Sequence, residues 1–449
     1  MMRCTQILLE GYDLLDIKKC TIVQSVNNHG HAVVTGHIRD DDENLYLKKS
    51  IAEEWTSILC EGMGGESEVL FAGYVKSVEI MNLDGIKAVQ VTLVTGSYLM
   101  DLLPKTECFQ DETITFGEIL DNKMAQYERG IGFMTEGYSQ SIDEMAVQYN
   151  ETDWKFLKRM AGRLKLPIYA EAKRIETNIS LGVELNPCVI ELDILEKKIL
   201  IESEIVSYII KSRDVACIGD MVSIDNRDFY IYSQLARLEG EELVFTYLLK
   251  DKREFRADRM ENSSICGASI DAFVAGVQND KVSLTISCDY MNRGKKWFPY
   301  ATIYSSPDGT GWYCMPEKGD SVRLYFPNEK ENNGYVISSV HVSEFAGDKR
   351  SNPDEKSIKT KYGKEIVFKP DSLLITNNCG MSIELKDDEG IHILSNKAIN
   401  IQSEEAIGIT SLNNSLQMTA RDSLVLKQNE SSIVLEEDII IDGGMVRTI

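Results

Sequence analysis

His29 and His31 are the first residues in this sequence whose type and spacing could do chemistry. On a strand, residues two apart share a face, so the pair could hold a metal ion. They flank Gly30 at the end of a turn-like run, Asn27-Asn28-His29-Gly30, where solvated histidines are the simpler expectation. Acids also fall together, as Asp111 with Glu112 and as Asp387-Asp388-Glu389. Paired carboxylates can cleave glycosidic bonds. In a chain with 71 acidic and 48 basic residues, however, such groups arise without a catalytic reason. Trp297, Tyr300, Tyr304 and Trp312 could stack on bases, but only Arg293, Lys295 and Lys296 stand near them to meet phosphates. Packing in a core or between subunits is expected for these rings, and Trp154 reads as a core anchor. The GxSxG, HExxH and GxxxxGK(S/T) patterns are absent from the sequence. No catalytic, cofactor-binding or metal-ligating residue is therefore assigned, no cofactor is expected, and the chain is not read as an enzyme.

Composition narrows the partners. The 449 residues suffice for two to four domains with cores of their own. With 43% hydrophobic and 27% charged residues, 31 Gly and 9 Pro, the chain is an ordinary folded one. A net charge of −23 repels phosphate backbones and anionic lipid headgroups, which argues against nucleic acid and membrane-surface partners. The ten cysteines form no CxxC, so free thiols in a reducing cytoplasm are expected. No secretory leader is read in the first residues, and no run approaches the roughly 18 apolar residues of a membrane span.

The first hundred residues read as short strands. Thr21–Val26 and Ala32–Ile38 flank the turn at Asn27-Asn28-His29-Gly30, and 66–78 with 86–94 forms a second antiparallel pair. Residues 112–166 are more helical. Phe116, Ile119, Leu120 and Met124 share a helical face, and a clearer helix starts near Asn150 with Trp154, Leu157, Ala161 and Leu164 facing inward. Strands return over 180–250. After a charged linker at 250–259, a β-rich segment of the size of an OB-type barrel runs from Ala268 to Ser343.

The strongest pattern lies in residues 365–442. Apolar residues recur in pairs with one residue between: Ile383/Leu385, Ile391/Ile393, Ile399/Ile401, Ile407/Ile409, Leu416/Met418, Leu424/Leu426, Ile433/Leu435 and Ile439/Ile441. The steps between the first seven pairs are 8, 8, 8, 9, 8 and 9 residues. Alternation puts each pair on one face of a short strand and the residue between, such as His392 or Asn400, on the other. A narrow strand-turn repeat has nothing in its own chain to cover that face. Three copies wound about a three-fold axis would bury it, gaining about 1.5–2 kcal/mol per side chain. A single-chain β-solenoid is the structural alternative, but its coils are usually longer than this repeat, so all sixteen residues are expected in a trimer core.

This order of strand-rich segment, OB-like segment and octad repeat resembles the VgrG proteins of type VI secretion and the hub-and-needle proteins of contractile phage tails. The segment Gln148-Tyr149-Asn150-Glu151-Thr152-Asp153-Trp154-Lys155-Phe156-Leu157 resembles one family motif. Gly311 to Phe326, with Val336–Val340 after it, resembles the family's OB-domain signature, although Pro327–Asn333 lacks the usual Gly-Asp-Pro turn. The expected fold is mainly β with a minor α+β hub: barrel-like hub domains, an OB-fold barrel and a trimeric intertwined β-helix or β-prism needle. The expected divisions are a first hub domain at 1–105 and a second with a helical insertion at 106–255. An OB fold at 263–345, a connector at 346–364, the octad spike at 365–442 and a tip tail at 443–449 follow.

The resemblance implies a homotrimer that joins a six-fold inner tube (Hcp-like) and the baseplate to a three-fold needle, with effector cargo as a further partner. A PAAR-like tip protein would dock at Asp442, Gly443, Gly444 and Met445. It also implies assembly in the cytoplasm of a bacterium, as part of a tail-like particle, with a target membrane met only on firing. A cell-wall-degrading spike and a trimeric receptor-binding fibre are the rival functions.

Overall fold

The computed structural model describes residues 4–49, 54–62, 65–202, 205–289, 291, 293, 296–339, 352–435 and 439–442. The protein is mainly β and divides into two compact units, Met1–Val342 and Ser343–Ile449. Among the described residues, no helix is long and apolar enough to cross a membrane.

The first unit is organised by an eleven-stranded antiparallel sheet. Its path begins at Gln6–Leu9 and passes through Trp55–Glu61, Ser67–Leu83, Ile86–Val94, His31–His37 and Asp16–Ser25. It then crosses to Arg227–Glu239, Glu242–Lys250, Ile205–Ser212 and Ile194–Glu202, with Met221–Ile224 paired to Arg227–Glu239. The crossing joins segments more than two hundred residues apart, with Thr21 opposite Arg237 and Ser25 opposite Ser233. The two hub segments expected from the sequence thus share one sheet and one core, to which Ile22, Val34 and Val91 contribute from one side and Ile210, Ile231 and Leu249 from the other. Register shifts at Ile17/Lys19, Ile58/Leu59, Val75/Ser77 and Ile231/Ser233 bend and twist these strands.

The helical insertion forms a second core. Helix Phe116–Met124 starts at a capping box: the Thr115 hydroxyl accepts from the Glu118 N–H, and the Glu118 carboxylate accepts from the Thr115 N–H. Helix Asp153–Arg163 is capped by Thr152, whose hydroxyl accepts from the Lys155 N–H. Trp154, Leu157 and Ala161 are buried as their spacing predicts, beside Phe156 and Met160.

A five-stranded sheet follows in the order Trp297–Pro299, Lys281–Ile286, Ser269–Gln278, Ser321–Tyr325, Tyr335–Ser339. The bridge between Tyr300 and Val336, with the Ala301 N–H donating to the Val336 carbonyl at 2.8 Å, brings its first and last strands together. Val322, Leu324 and Phe326 alternate into its core, in the segment resembling the OB signature. Phe298 is also buried there, so its neighbour Trp297 points outward over Gly276. Of the four rings expected to pack in a core or between subunits, Tyr300 packs against the barrel core, whereas Trp297, Tyr304 and Trp312 are exposed in the single chain.

The second unit is an antiparallel meander of Lys356–Lys359, Glu365–Phe368, Ser372–Thr376, Met381–Lys386 and Gly390–Ser395. Residues 396–423 contain no strand or helix. A three-stranded sheet then pairs Leu424–Gln428, Ser431–Leu435 and Ile439–Asp442.

Candidate functional site

The octad residues become a surface through register. In the meander, Ile358, Ile366, Ile375, Ile383 and Ile393 stand opposite one another in sequence, forming one rank across five strands. Phe368, Leu373, Leu385 and Ile391 form a second rank beside it. The first rank lines an open groove of about 510 Å³. His392 pairs with Glu384 between the apolar positions, so the pleat puts both on the opposite face.

Among the described residues of this unit, nothing covers the apolar ranks. Ile383 is 41% exposed, Ile391 70% and Ile401 75%. Leu385, Ile393, Ile399, Ile407, Ile409, Leu416, Met418, Leu426, Ile433 and Leu435 are exposed as well, and Leu424 is half-buried. Of the expected trimer-core residues, the structure brings Ile383, Leu385, Ile391 and Ile393 onto one sheet face. It sets Leu424 opposite Leu435, Leu426 opposite Ile433, Ile433 opposite Ile441 and Leu435 opposite Ile439. Ile399, Ile401, Ile407, Ile409, Leu416 and Met418 lie in the stretch without strand pairing and are not brought together. Asp442 ends the last strand, whereas Gly443, Gly444 and Met445 lie outside the described residues.

A second functional element, unforeseen from the sequence, is a buried ion-pair latch between the hub helix and the OB-like barrel. The Arg159 guanidinium donates to both carboxylate oxygens of Glu151 at 3.2 and 3.0 Å, to Glu331 at 2.9 Å and to the Val147 carbonyl at 2.8 Å. Glu331 also pairs with Arg163 and accepts from the Val147 N–H at 2.9 Å. Burial alone would lower the pKa of Arg159, but the adjacent Glu331 and Glu151 outweigh it and hold the pKa above its ordinary value. Glu331 lies in the stretch that departs from the family's turn, and there it supplies the one acid shared by both arginines.

Beside the latch, Lys123 is fully buried between Glu107 and Asp153, with Asp153 at 3.1 Å. Burial acts to raise the Asp153 pKa. The Lys123 charge and hydrogen bonds from Lys105, Tyr127 and Gln148 reverse that and hold it below the ordinary aspartate value. Each cluster takes a member from the Gln148–Leu157 segment, Glu151 in the first and Gln148 with Asp153 in the second.

The remaining candidates resolve simply. His29 is not solvated as expected. The absence of a side chain at Gly30 lets Thr95 close over the turn, and His29 Nδ1 lies 2.7 Å from the Ser97 hydroxyl with its ring 4.3 Å from that of Trp154. Burial lowers its pKa, with Asp101 opposing. His31 is exposed on its strand. Among the described residues, no group of three or more His, Cys, Asp or Glu is placed to hold a metal. Asp111 is buried and accepts from the N–H and hydroxyl of Thr113, a turn-forming role, and Glu112 pairs with Lys296.

The mainly β fold of this chain is shared by solved structures of type VI secretion and VgrG proteins. A component of the E. coli type VI secretion system, described as structurally similar to the T4 bacteriophage tail proteins gp27 and gp5, aligns with a TM-score of 0.53 at 10% identity, over 75% of this chain and 100% of that one. Two states of the Francisella PdpA–VgrG complex also align. The half-lidded one has a TM-score of 0.53 at 11% identity over 86% of this chain and 87% of that one. The lidded one has a TM-score of 0.55 at 11% identity over 84% and 76%. No family model and no curated protein matches the sequence.

Proposed function

We propose that this protein is the hub and piercing spike of a contractile, tail-like injection particle, that it acts as a homotrimer, and that it works mechanically without catalysis. The observation that supports this reading is the row of large apolar residues presented uncovered by a single chain, with Ile391 and Ile401 among the most exposed. Such a face in water is an aggregation surface unless a partner closes it. Three copies of the same octad ladder would close it with identical contacts, and the resulting prism would carry compressive load along its axis.

In this reading the first unit meets an Hcp-like inner tube and baseplate proteins, and the tail beyond Asp442 meets a PAAR-like tip protein. The likeness to VgrG in its complex with PdpA supports a place among tail components. The particle would assemble in the cytoplasm and meet a target membrane only on contraction. The latch at Glu331 suits this work, because the hub and the barrel must move as one body when pushed.

Negative-stain imaging of the purified protein tests the reading. The expected particle is a club with a thin tapered stalk, and a zymogram on cell-wall material is expected to show no clearing. A compact globule would overturn the spike. A cleared zone would favour the cell-wall-degrading alternative. A stalk whose free end binds a purified surface receptor would favour the receptor-binding fibre.

A further inference from the structure

The first unit holds a large cleft that neither the spike nor the latch uses. It has a volume of about 1540 Å³, beyond the roughly 300–1,000 Å³ of a typical small-molecule pocket. Its walls come from the large sheet, the small sheet containing Asn178–Leu181, the loop 182–187 and the linker 252–256. Six basic and three acidic side chains line it, in a protein whose net charge is −23. Two of the cations are engaged, Lys173 with Glu68 and Arg253 with Asp251. Lys165, Arg174, Lys252 and Arg256 are exposed at the cleft and have no ion-pair partner among the described residues. Of the acids, Glu171 is occupied in accepting from the N–H groups of Ala172 and Lys173.

Amide side chains line the same cleft. Gln24 and Gln234 sit opposite each other across neighbouring strands, and both are buried. Gln24 Nε2 donates to the Leu70 carbonyl at 3.3 Å, whereas Gln234 Oε1 has no hydrogen-bond partner. Asn178 is 1% exposed, and neither its side-chain oxygen nor its side-chain nitrogen has a hydrogen-bond partner among the described residues. A buried amide left unsatisfied is costly, so a built site of this kind calls for a ligand that supplies donors and acceptors.

We propose that this cleft binds an acidic peptide segment of a partner protein. Side-chain amides offer a donor and an acceptor together, which matches the peptide group. The unpaired cations match carboxylate side chains, and the cleft volume admits several residues. Nucleic acid would satisfy the cations, and its base edges could meet the amides, but the net charge of −23 opposes it. The proposal does not depend on the trimeric spike.

The test uses the full-length protein and fluorescein-labelled octaglutamate, read by fluorescence anisotropy at low salt, with octalysine and an eight-nucleotide thymidine oligomer as controls. Octaglutamate is expected to bind, and to do so more tightly than either control. The double charge reversal Lys165→Glu with Arg256→Glu is expected to weaken it at least about tenfold, as loss of two charge-assisted contacts should. Both substitutions are at exposed positions and should leave the thermal midpoint unchanged. Asn178→Leu, compared at equal folded fraction by circular dichroism, is expected to weaken binding about fivefold, reporting the amide floor rather than general charge. Three outcomes would overturn the proposal: no octaglutamate binding, binding unaffected by the charge reversal, or equal binding of the thymidine oligomer.

Discussion

Ile401→Asp is expected to abolish spike assembly near neutral pH, and Asn400→Asp to leave it intact. The two changes put the same charge one residue apart. The octad register places Ile401 on the apolar face with Ile399, Ile391 and Ile393, and Asn400 on the other face with His392. At Ile401, a trimer would enclose three carboxylates around one axis. Each buried charge costs on the order of several kcal/mol, the like charges repel, and protonation relieves only part of the penalty. At Asn400, the added charge meets water and is screened. Size-exclusion chromatography with light scattering reads the result directly. The first unit should remain folded in both variants, because its cores draw only on residues before 342. Equal behaviour of the two variants would mean that the alternation does not define an inner and an outer face.

Glu331→Gln is expected to destabilise the first unit by about 3–5 kcal/mol, the usual cost of removing one partner from a buried ion pair. The substitution keeps the shape of the side chain. It leaves Arg159 with Glu151 as its remaining carboxylate, beside the Val147 carbonyl, and Arg163 with two backbone carbonyls, those of Glu144 and Met145, at 3.5 and 3.4 Å. The midpoint of urea unfolding, followed by tryptophan fluorescence, measures the effect. Glu242→Gln is the control, since the Arg213–Glu242 pair is exposed and such pairs contribute about 0–1 kcal/mol. A Glu331→Gln midpoint matching that control would show that the latch adds nothing to the joint between hub and barrel.

Local periodicity made the alternating strands of the octad region legible from the sequence, because strand alternation and turn spacing repeat within eight or nine residues. The pairing of Ile383 with Ile393 and of Leu385 with Ile391 inside one chain was not legible, since the repeat does not say which chain supplies the neighbouring strand. The hub helix was legible for the same reason, through Trp154, Leu157 and Ala161. The joining of Thr21–Ser25 to Ser233–Arg237 was not, since pairing across two hundred residues leaves no local period. His29 was misread because its burial depends on Thr95 and Ser97, a distant loop that the turn residues do not announce. The latch did leave a trace. Arg159 and Arg163 stand four apart on one helix, an unfavourable like-charge spacing unless a shared acid lies between them. Which of 71 acids would fill that place depends on the packing of the barrel against the helix.

Whether the uncovered octad face is closed by two further copies of the same chain is decided most directly by sedimentation equilibrium of the full-length protein at micromolar concentration. The expected species is a single one of three times the 50.6 kDa chain mass, unchanged on dilution. A well-folded monomer of 50.6 kDa under the same conditions would contradict the three-fold spike.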